Sequence, residues 1–451
     1  MPFEPYIQML QQVQPVGLTG KVTAVKGLTV SVGDFPVPVG ATCRITRIRG
    51  DIDARVIGFA GSETIIMPMG PMAGIARGDR VVCVSTEESV GCGPQLLGRV
   101  IDAFGRPIDG RPAPALDARM PLWPPPMPAM ARRRISQPLS TGIRAIDGML
   151  TVGRGQRMGI FSGSGVGKSV LLGMIGRSTK VDVNVIALVG ERGREVRDFI
   201  EKDLGPEGLK RSVVVVATGN EPPLVRVQAG AAACAVAEYF RDRGADVLLL
   251  MDSLTRLGMA QRQIGLVSGE PPTTKGYTPS VFNLLPELLE RSGRTASGSI
   301  TGFYTVLVEG DDMSDPICDA ARSVTDGHLW LSRELANRGH YPAVDVLQSV
   351  SRIMMDITSA GHRAACAELR RLMALYAEVE EIVSIGAYQA GNAEHDLAIA
   401  AMPLAREFLA QGIEESTPLE KTVAAMDELV RRVAMLAADA PAAAEPMGAV
   451  R

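Results

Sequence analysis

The sequence predicts an α/β chain built on a mostly parallel sheet, preceded by a small β-barrel and followed by a small helical domain. Three patterns carry that expectation. Apolar runs at 158–161, 185–189, 213–217, 247–251 and 300–308 are nearly continuous, and helical stretches separate the first four. Such runs suit parallel strands covered on both faces. Between residues 18 and 84, short runs such as LTGKVTAVKGLTVSV and ATCRITRI alternate in polarity and are punctuated by glycine. They read as a small antiparallel barrel, with a sandwich as the alternative. From 360 onward, HRAACAELRRLMALYAEVEEIVSIG and TPLEKTVAAMDELVRRVAMLAA carry apolar residues three and four apart, the period of helices packed on one face.

Length and composition bound the rest. A chain of 451 residues is too long for one core. The expected division is a barrel with a short leading segment at 1–85, the α/β domain with a connector at 86–356, a helical domain at 357–438, and a disordered Ala/Pro-rich tail at 439–451. With 46 % apolar residues and a formal charge of -3, the chain reads as globular, without the basic balance of a nucleic-acid binder. Arg132, Arg133 and Arg134 stand as an isolated basic trio. The six cysteines lack C-x-x-C spacing and read as free thiols in a reducing compartment. No run is long and apolar enough to span a bilayer, and no signal sequence is recognisable, so a cytoplasmic protein is expected. Residues 1–13 place Phe3, Tyr6, Ile7, Met9, Leu10 and Val13 where one helical stripe could dock. The proline-dense PLWPPPMP cannot lie inside a helix and should run extended over the next domain, with Trp123 as an anchor.

The chemistry concentrates at 155–172, GQRMGIFSGSGVGKSVLL. A short strand leads into a glycine-rich turn and then a helix. Backbone N–H groups of Ser164, Gly165, Val166 and Gly167, continuing into Lys168, Ser169 and Val170, would form an anion cradle at a positive helix end. Lys168 would reach the outer phosphates of a nucleotide, and the Ser169 hydroxyl would hold Mg²⁺. The strict G-x-x-x-x-G-K-[ST] pattern asks for glycine where this chain has Ser162. Asp252 ends the run VLLLMD and suits a Walker-B role toward Mg²⁺, a helix cap being the alternative. Glu191 follows VIALVG and is placed to polarise an attacking water; the alternative is a salt-bridged glutamate among Arg192, Arg194, Glu195 and Arg197.

Several long runs then converge: TGIRAIDGMLTVGRGQRMGIFSGSGVGKSVLLGM, ALVGERGREVRDFI, LLLMDSLTRLGMAQRQIGL, GEPPTTKGYTPSVFNLLPELLERSG, and the stretch from YTVLVEGDDMSDPICD to SVSRIM. In that order they resemble the rotary ATPase family, and within it the flagellar-type protein export ATPases of type III secretion. The likeness covers nearly the whole chain. It implies ATP hydrolysis with Mg²⁺, Glu191 as the catalytic glutamate and Arg192 beside the γ-phosphate. It places Asp252 on the Walker-B aspartate, Arg256 on the arginine after it, Tyr341 against adenine, and Arg352 as an arginine finger acting across a subunit boundary. Phe408 and Ile413 would border the adenine, although Ile413 stands where the ATP synthase catalytic subunit commonly has an aromatic. The resemblance further implies a homohexamer, stator-like regulatory and central-stalk-like export partners, an export gate at the inner membrane, substrate–chaperone complexes, and a peripheral position on the membrane's inner face. An injectisome secretion ATPase is the near alternative. A terminator-type RNA-translocating ring is more distant, because residues 18–84 offer few aromatics for base stacking and the pI is about 6.0. No specific nucleic-acid affinity is expected, and Glu191 argues against a purely structural ring subunit.

Overall fold

Six strands close the first barrel: β1 (Thr19–Lys26), β2 (Thr29–Gly33), β3 (Thr42–Ile45), β4 (Ile52–Ala60), β5 (Glu63–Pro68) and β6 (Arg80–Ser85), in the order β1-β2-β5-β4-β3-β6. Closure, rather than a sandwich, leaves no strand edge open. The alternation read from the sequence becomes a lumen of Val30, Val32, Ile45, Val56, Ile66 and Val81, all fully buried. The computed structural model describes residues 17–308, 310 and 314–439. The apolar stripe at 1–13 and the tail beyond 439 lie outside the described residues.

The connector contributes more than a loop. β7 (Ser89–Cys92) pairs with β9 (Ala118–Pro121), and between them β8 (Arg99–Asp102) joins the edge of the main sheet, parallel to a later strand. Trp123 is anchored by its indole N–H, which donates to Glu88 at 3.1 Å. Buried Leu122 accepts a hydrogen bond at its carbonyl from Arg291 at 2.7 Å, so the proline-dense strap is pinned to the α/β domain.

After the short pair β10 (Pro138–Leu139) and β11 (Val152–Gly153) come β12 (Arg157–Ser162), β13 (Val183–Val189), β14 (Ser212–Ala217), β15 (Asp246–Asp252), β16 (Gly293–Arg294), β17 (Ser299–Leu307), β18 (Gly327–Leu331) and β19 (Val344–Ser351). The nine-stranded sheet runs β19-β18-β12-β17-β15-β13-β14-β8, with β16 paired to β17. Its pairings from β18 through β8 are parallel; β19 and β16 pair antiparallel. Each expected strand is present, four with slightly wider bounds and the last shifted by one residue to Ser299–Leu307. On β13, Val185, Ala187 and Val189 point into one core while Ile186 and Leu188 point into the other, which explains an unbroken apolar run.

Helix Pro223–Asp242 packs on the first face. The second face carries helix Lys168–Ser178 and the helical domain: Ala360–Ser384, Ala393–Leu409 and Leu419–Asp439. The first two domain helices start at side-chain caps. Ser359 accepts from His362 N–H at 3.2 Å, and Asn392 accepts from Glu394 N–H at 3.0 Å. Leu369, Leu372, Met426 and Leu429 share one core with Ile146 and Met149, so this domain is welded to the sheet through the segment just before the glycine-rich loop. Among the described residues, no helix is long and apolar enough to cross a membrane, and all six cysteines are free thiols.

Candidate active site

The glycine-rich turn joins β12 to helix Lys168–Ser178, at the C-terminal end of the parallel strands, where open α/β sheets place their ligands. Gly165 and Gly167 have φ of +79° and +88°, a region that L side chains avoid. These two residues let the loop turn tightly into the helix that starts at Lys168. Val166 is buried and anchors the loop, while Ser164 and Gly165 are exposed. Ser169 sits exposed in the first helical turn.

Three parallel strands bring the charged groups together. Asp252 ends β15, Glu191 lies two residues beyond β13, and Lys168 follows β12. Lys168 Nζ lies 2.5 Å from Asp252 Oδ1 and 3.7 Å from Glu191 Oε1. The intervening strand β17 contributes Thr305, whose hydroxyl donates to the same Asp252 oxygen at 2.6 Å. Asp252 is buried and thereby fixed from two sides, with its other oxygen unclaimed by hydrogen bonds among the described residues.

Glu191 is pushed up to about 7, first by burial and then by the charge of Asp252; Lys168 pulls in the opposite direction. A hydrogen bond shared with Glu195 also raises Glu191 and lowers Glu195. Glu195 in turn accepts from Arg192 N–H at 3.4 Å and pairs with the Arg192 guanidinium at 3.6 Å. The backbone around Glu191 is held from behind: Gly190 N–H donates to Ala217 at 2.6 Å and Gly219 N–H donates to the Glu191 carbonyl at 3.0 Å. Gly190 has φ +77°, and a Cβ built on it would stand 2.7 Å from Arg256 Cβ. The stem of Arg256 therefore lies directly on this glycine.

These groups line one cavity of about 380 Å³, which includes Lys168, Ser169, Glu191, Arg192, Glu195 and Arg256. A second cavity of about 400 Å³ adjoins it through Gly165, Gly167 and Val170. Its walls are apolar: Leu171, Met174, Leu331, Ile413 and the Tyr341 ring. That ring lies against Gly167, close enough that a Cβ there would meet it at 3.4 Å. Gln411 builds the rear wall, donating its N–H to the Tyr341 carbonyl and its side-chain amide to the Gly142 carbonyl, each at 2.8 Å. A polar half with cations and an apolar half with an aromatic side match the phosphates and the base of a nucleotide.

The donor set also fits Mg²⁺. The Ser169 hydroxyl and the unclaimed Asp252 oxygen are hard oxygen ligands on the cradle's rim, and no group of three or more His, Cys, Asp or Glu among the described residues offers an all-protein metal cage. Mg²⁺ is typically held by one or two such oxygens plus phosphate and water.

Two expected residues stand apart. Phe408 does not border the apolar cavity: it is buried at the junction of helix Ala393–Leu409 with Gly148, where its ring tip would meet a Cβ at 3.2 Å. Its place at the end of an amphipathic helix makes it core. Arg352 lies just past β19, exposed, with its N–H donating to the Asp326 carbonyl at 3.0 Å. β19 runs antiparallel to β18, Val344 opposite Leu331 and Ser351 opposite Gly327. At about 3.3 Å per residue, this traverse carries Arg352 roughly 16 Å from the sheet end that holds the glycine-rich loop. Neither Thr305 nor Gln411 carries a signal of its own in the sequence. A threonine in an apolar strand run and a glutamine after a helix are too common to single out.

Comparison with known proteins agrees with this geometry. Residues 142–351 match the ATP synthase alpha/beta family, nucleotide-binding domain, and residues 358–428 match the T3SS EscN ATPase C-terminal domain. The chain is 51 % identical over 416 residues to the flagellum-specific ATP synthase of Bacillus subtilis, covering 91 % of this chain and 94 % of that one. It is 49 % identical over 407 residues to a type 3 secretion system ATPase of Xanthomonas euvesicatoria, covering 90 % and 92 %. Among solved structures, the assembled ATPase EscN of the enteropathogenic E. coli type III secretion system superposes with a TM-score of 0.86 at 42 % identity, over 91 % of this chain and all of that one. Identity this high over nearly the whole chain, with the loop, the acidic pair and the base cavity in place, makes the chain a member of the flagellar and type III secretion export ATPases, ATP-hydrolysing enzymes that use Mg²⁺.

Proposed function

We propose that this chain is the ATP-hydrolysing motor of a flagellar protein export apparatus and works as a homohexameric ring. The observation that carries the reading is that Lys168 lies between Asp252 and Glu191 at the mouth of the glycine-rich loop, where Lys168 and Glu191 line one cavity. The N–H groups of 164–170 and Lys168 hold the phosphates and stabilise the charge that develops on the transferring group. Ser169 and Asp252 would hold Mg²⁺, which would supply neutralisation of phosphate charge. Glu191 orients a water in line with the γ-phosphate and accepts its proton; a carboxyl near pKa 7 is well matched to that task at neutral pH. Arg192 steadies the γ-phosphate side, and Tyr341 stacks on adenine.

Arg352 serves the neighbouring subunit. Its place at the far end of the sheet prevents it from reaching its own loop, which supports a site completed at each interface. EscN has been solved as an assembled ATPase, alone and with its central stalk EscO. By that likeness this chain meets a stalk-like partner, stator-like regulators, substrate–chaperone complexes and an export gate, on the inner face of the membrane and without specific nucleic acid. Flagellum-specific relatives and type 3 secretion system ATPases both reach 49–51 % identity, so the flagellar reading leans on the runs GDDMSDPICD and PPTTKGYTPSVF. Replacing the chromosomal copy by Lys168→Ala tests it. Export of flagellar subunits should stop while the protein still accumulates. Intact flagella alongside a failed injectisome would assign it to the other apparatus.

A further inference from the structure

The basic trio that the sequence leaves isolated acquires a fourth member in the fold. Arg133 N–H donates to the Arg294 carbonyl at 2.8 Å, which locks the connector beside β16. Arg294 pairs with Ser299, the first residue of β17, so this place is at the N-terminal end of the parallel strands, opposite the glycine-rich loop. A depression of about 500 Å³ opens there, lined by Arg133, Arg134, Ser136, Arg294, Thr295 and Ala296. Three guanidiniums and two hydroxyl side chains line it, and the same three arginines also border an adjoining depression that holds Asp326 and Asp356.

The adjoining charges explain why these three remain available. The next depression holds Arg132, which pairs with Glu290 at 2.9 Å, and Arg157, which pairs with Asp326 at 3.0 Å. Those carboxylates are thereby committed. Arg294 is aimed by a hydrogen bond to Ser136 at 3.1 Å. Arg134 reaches Asp356 at 3.3 Å, but its side chain is 80 % exposed and that of Asp356 53 %, an ion pair that water and salt weaken readily. Arg133 is exposed and has no ion pair among the described residues. Three guanidiniums against one exposed carboxylate leave a net positive cluster that contributes little to stability. Planar guanidiniums with hydroxyls beside them are the groups that bind tetrahedral oxyanions, often by two parallel hydrogen bonds.

We propose that Arg133, Arg134 and Arg294 form a second oxyanion site, specific for a phosphate-bearing ligand and separate from the glycine-rich loop. It does not depend on the proposed roles of Glu191 or Arg352. The source is either a free phosphate compound or a phosphate headgroup on a lipid surface, and the experiment separates them.

The test is equilibrium dialysis of labelled pyrophosphate against the full chain, with the glycine-rich loop filled by saturating Mg-ATPγS. The expected result is one further site per chain, weakened at least tenfold by Arg133→Gln combined with Arg294→Gln and by raised salt, and partly kept by Arg294→Lys. Thermal melts and the ATPase rate of the double variant should match wild type, because neither residue touches the nucleotide cavity. Vesicles of phosphatidylglycerol in phosphatidylcholine are then added. Displacement of the label assigns the site to a headgroup, and its retention assigns the site to a free anion. No stoichiometric binding by wild type, or equal binding by a folded double variant, overturns the proposal. Failure of Mg-ATPγS itself to bind would count against the nucleotide site instead.

Discussion

Glu191 should impose an acid limb on the reaction at an unusual place. Burial and the Asp252 charge raise its carboxyl from 4.5 to about 7. By simple titration about a tenth of the free enzyme is ionised at pH 6 and about nine-tenths at pH 8. The ionised form is the one that accepts a proton from water, so kcat/KM should fall about tenfold per pH unit below 7. The kcat limb belongs to the loaded site, where Mg²⁺ adds positive charge, and should lie at lower pH. Glu191→Gln removes the limb and lowers turnover by about 10²–10⁴-fold while nucleotide binding persists. Stability must move the other way. Between pH 4.5 and 7 the native state binds more protons at this site than the unfolded chain, so wild type loses stability as pH rises through that window. The glutamine variant escapes that loss and should melt higher than wild type at pH 8, with no such advantage below about pH 4.5. Steady-state phosphate release from pH 5.5 to 9, with melts across the same range, reads both effects. A flat kcat/KM profile through pH 7, or near-normal turnover by Glu191→Gln, would refute the assignment.

Two further substitutions probe the supports of the site. Gly190→Ala would place a methyl 2.7 Å from Arg256 Cβ at φ +77°, so it should lower stability by about 1–3 kcal/mol in urea unfolding and turnover by more than tenfold. Activity equal to wild type would mean that the Arg256 stem is free to move. Tyr341→Ala removes the aromatic wall beside Gly167 and should raise KM for ATP about tenfold with kcat within a few-fold, measured by steady-state kinetics. An unchanged KM would remove Tyr341 from the base pocket.

The sheet was legible because each buried strand needs apolar residues on both faces, and the glycine-rich turn because its chemistry is local. β8 was hidden: four residues, Arg99–Asp102, inside a turn-rich connector carry no period of their own, and only the exposed edge of β14 makes them a strand. Glu195 was visible as a charge near Glu191, yet its hydrogen bond to that carboxyl depends on the helix that begins at Gly193. Thr305 reaches Asp252 only because β17 lies between β12 and β15, an order that sequence spacing does not specify. Phe408 shows the converse, a residue placed by family likeness at the nucleotide and by packing in the core. The link between Arg133 and Arg294 spans most of the α/β domain and had no local signature at all.

In the proposed mechanism the active site is shared between subunits: Lys168 and Glu191 act on one chain and Arg352 acts from the next. The direct measurement mixes Lys168→Ala with Arg352→Ala protein, each inactive alone, and follows phosphate release across mixing ratios while native mass spectrometry confirms mixed oligomers. Interfaces pairing an intact Lys168 with an intact Arg352 should return partial activity, below wild type because other interfaces carry both defects. No recovery at any ratio despite mixed oligomers, or a normal rate from Arg352→Ala alone, would contradict the shared site.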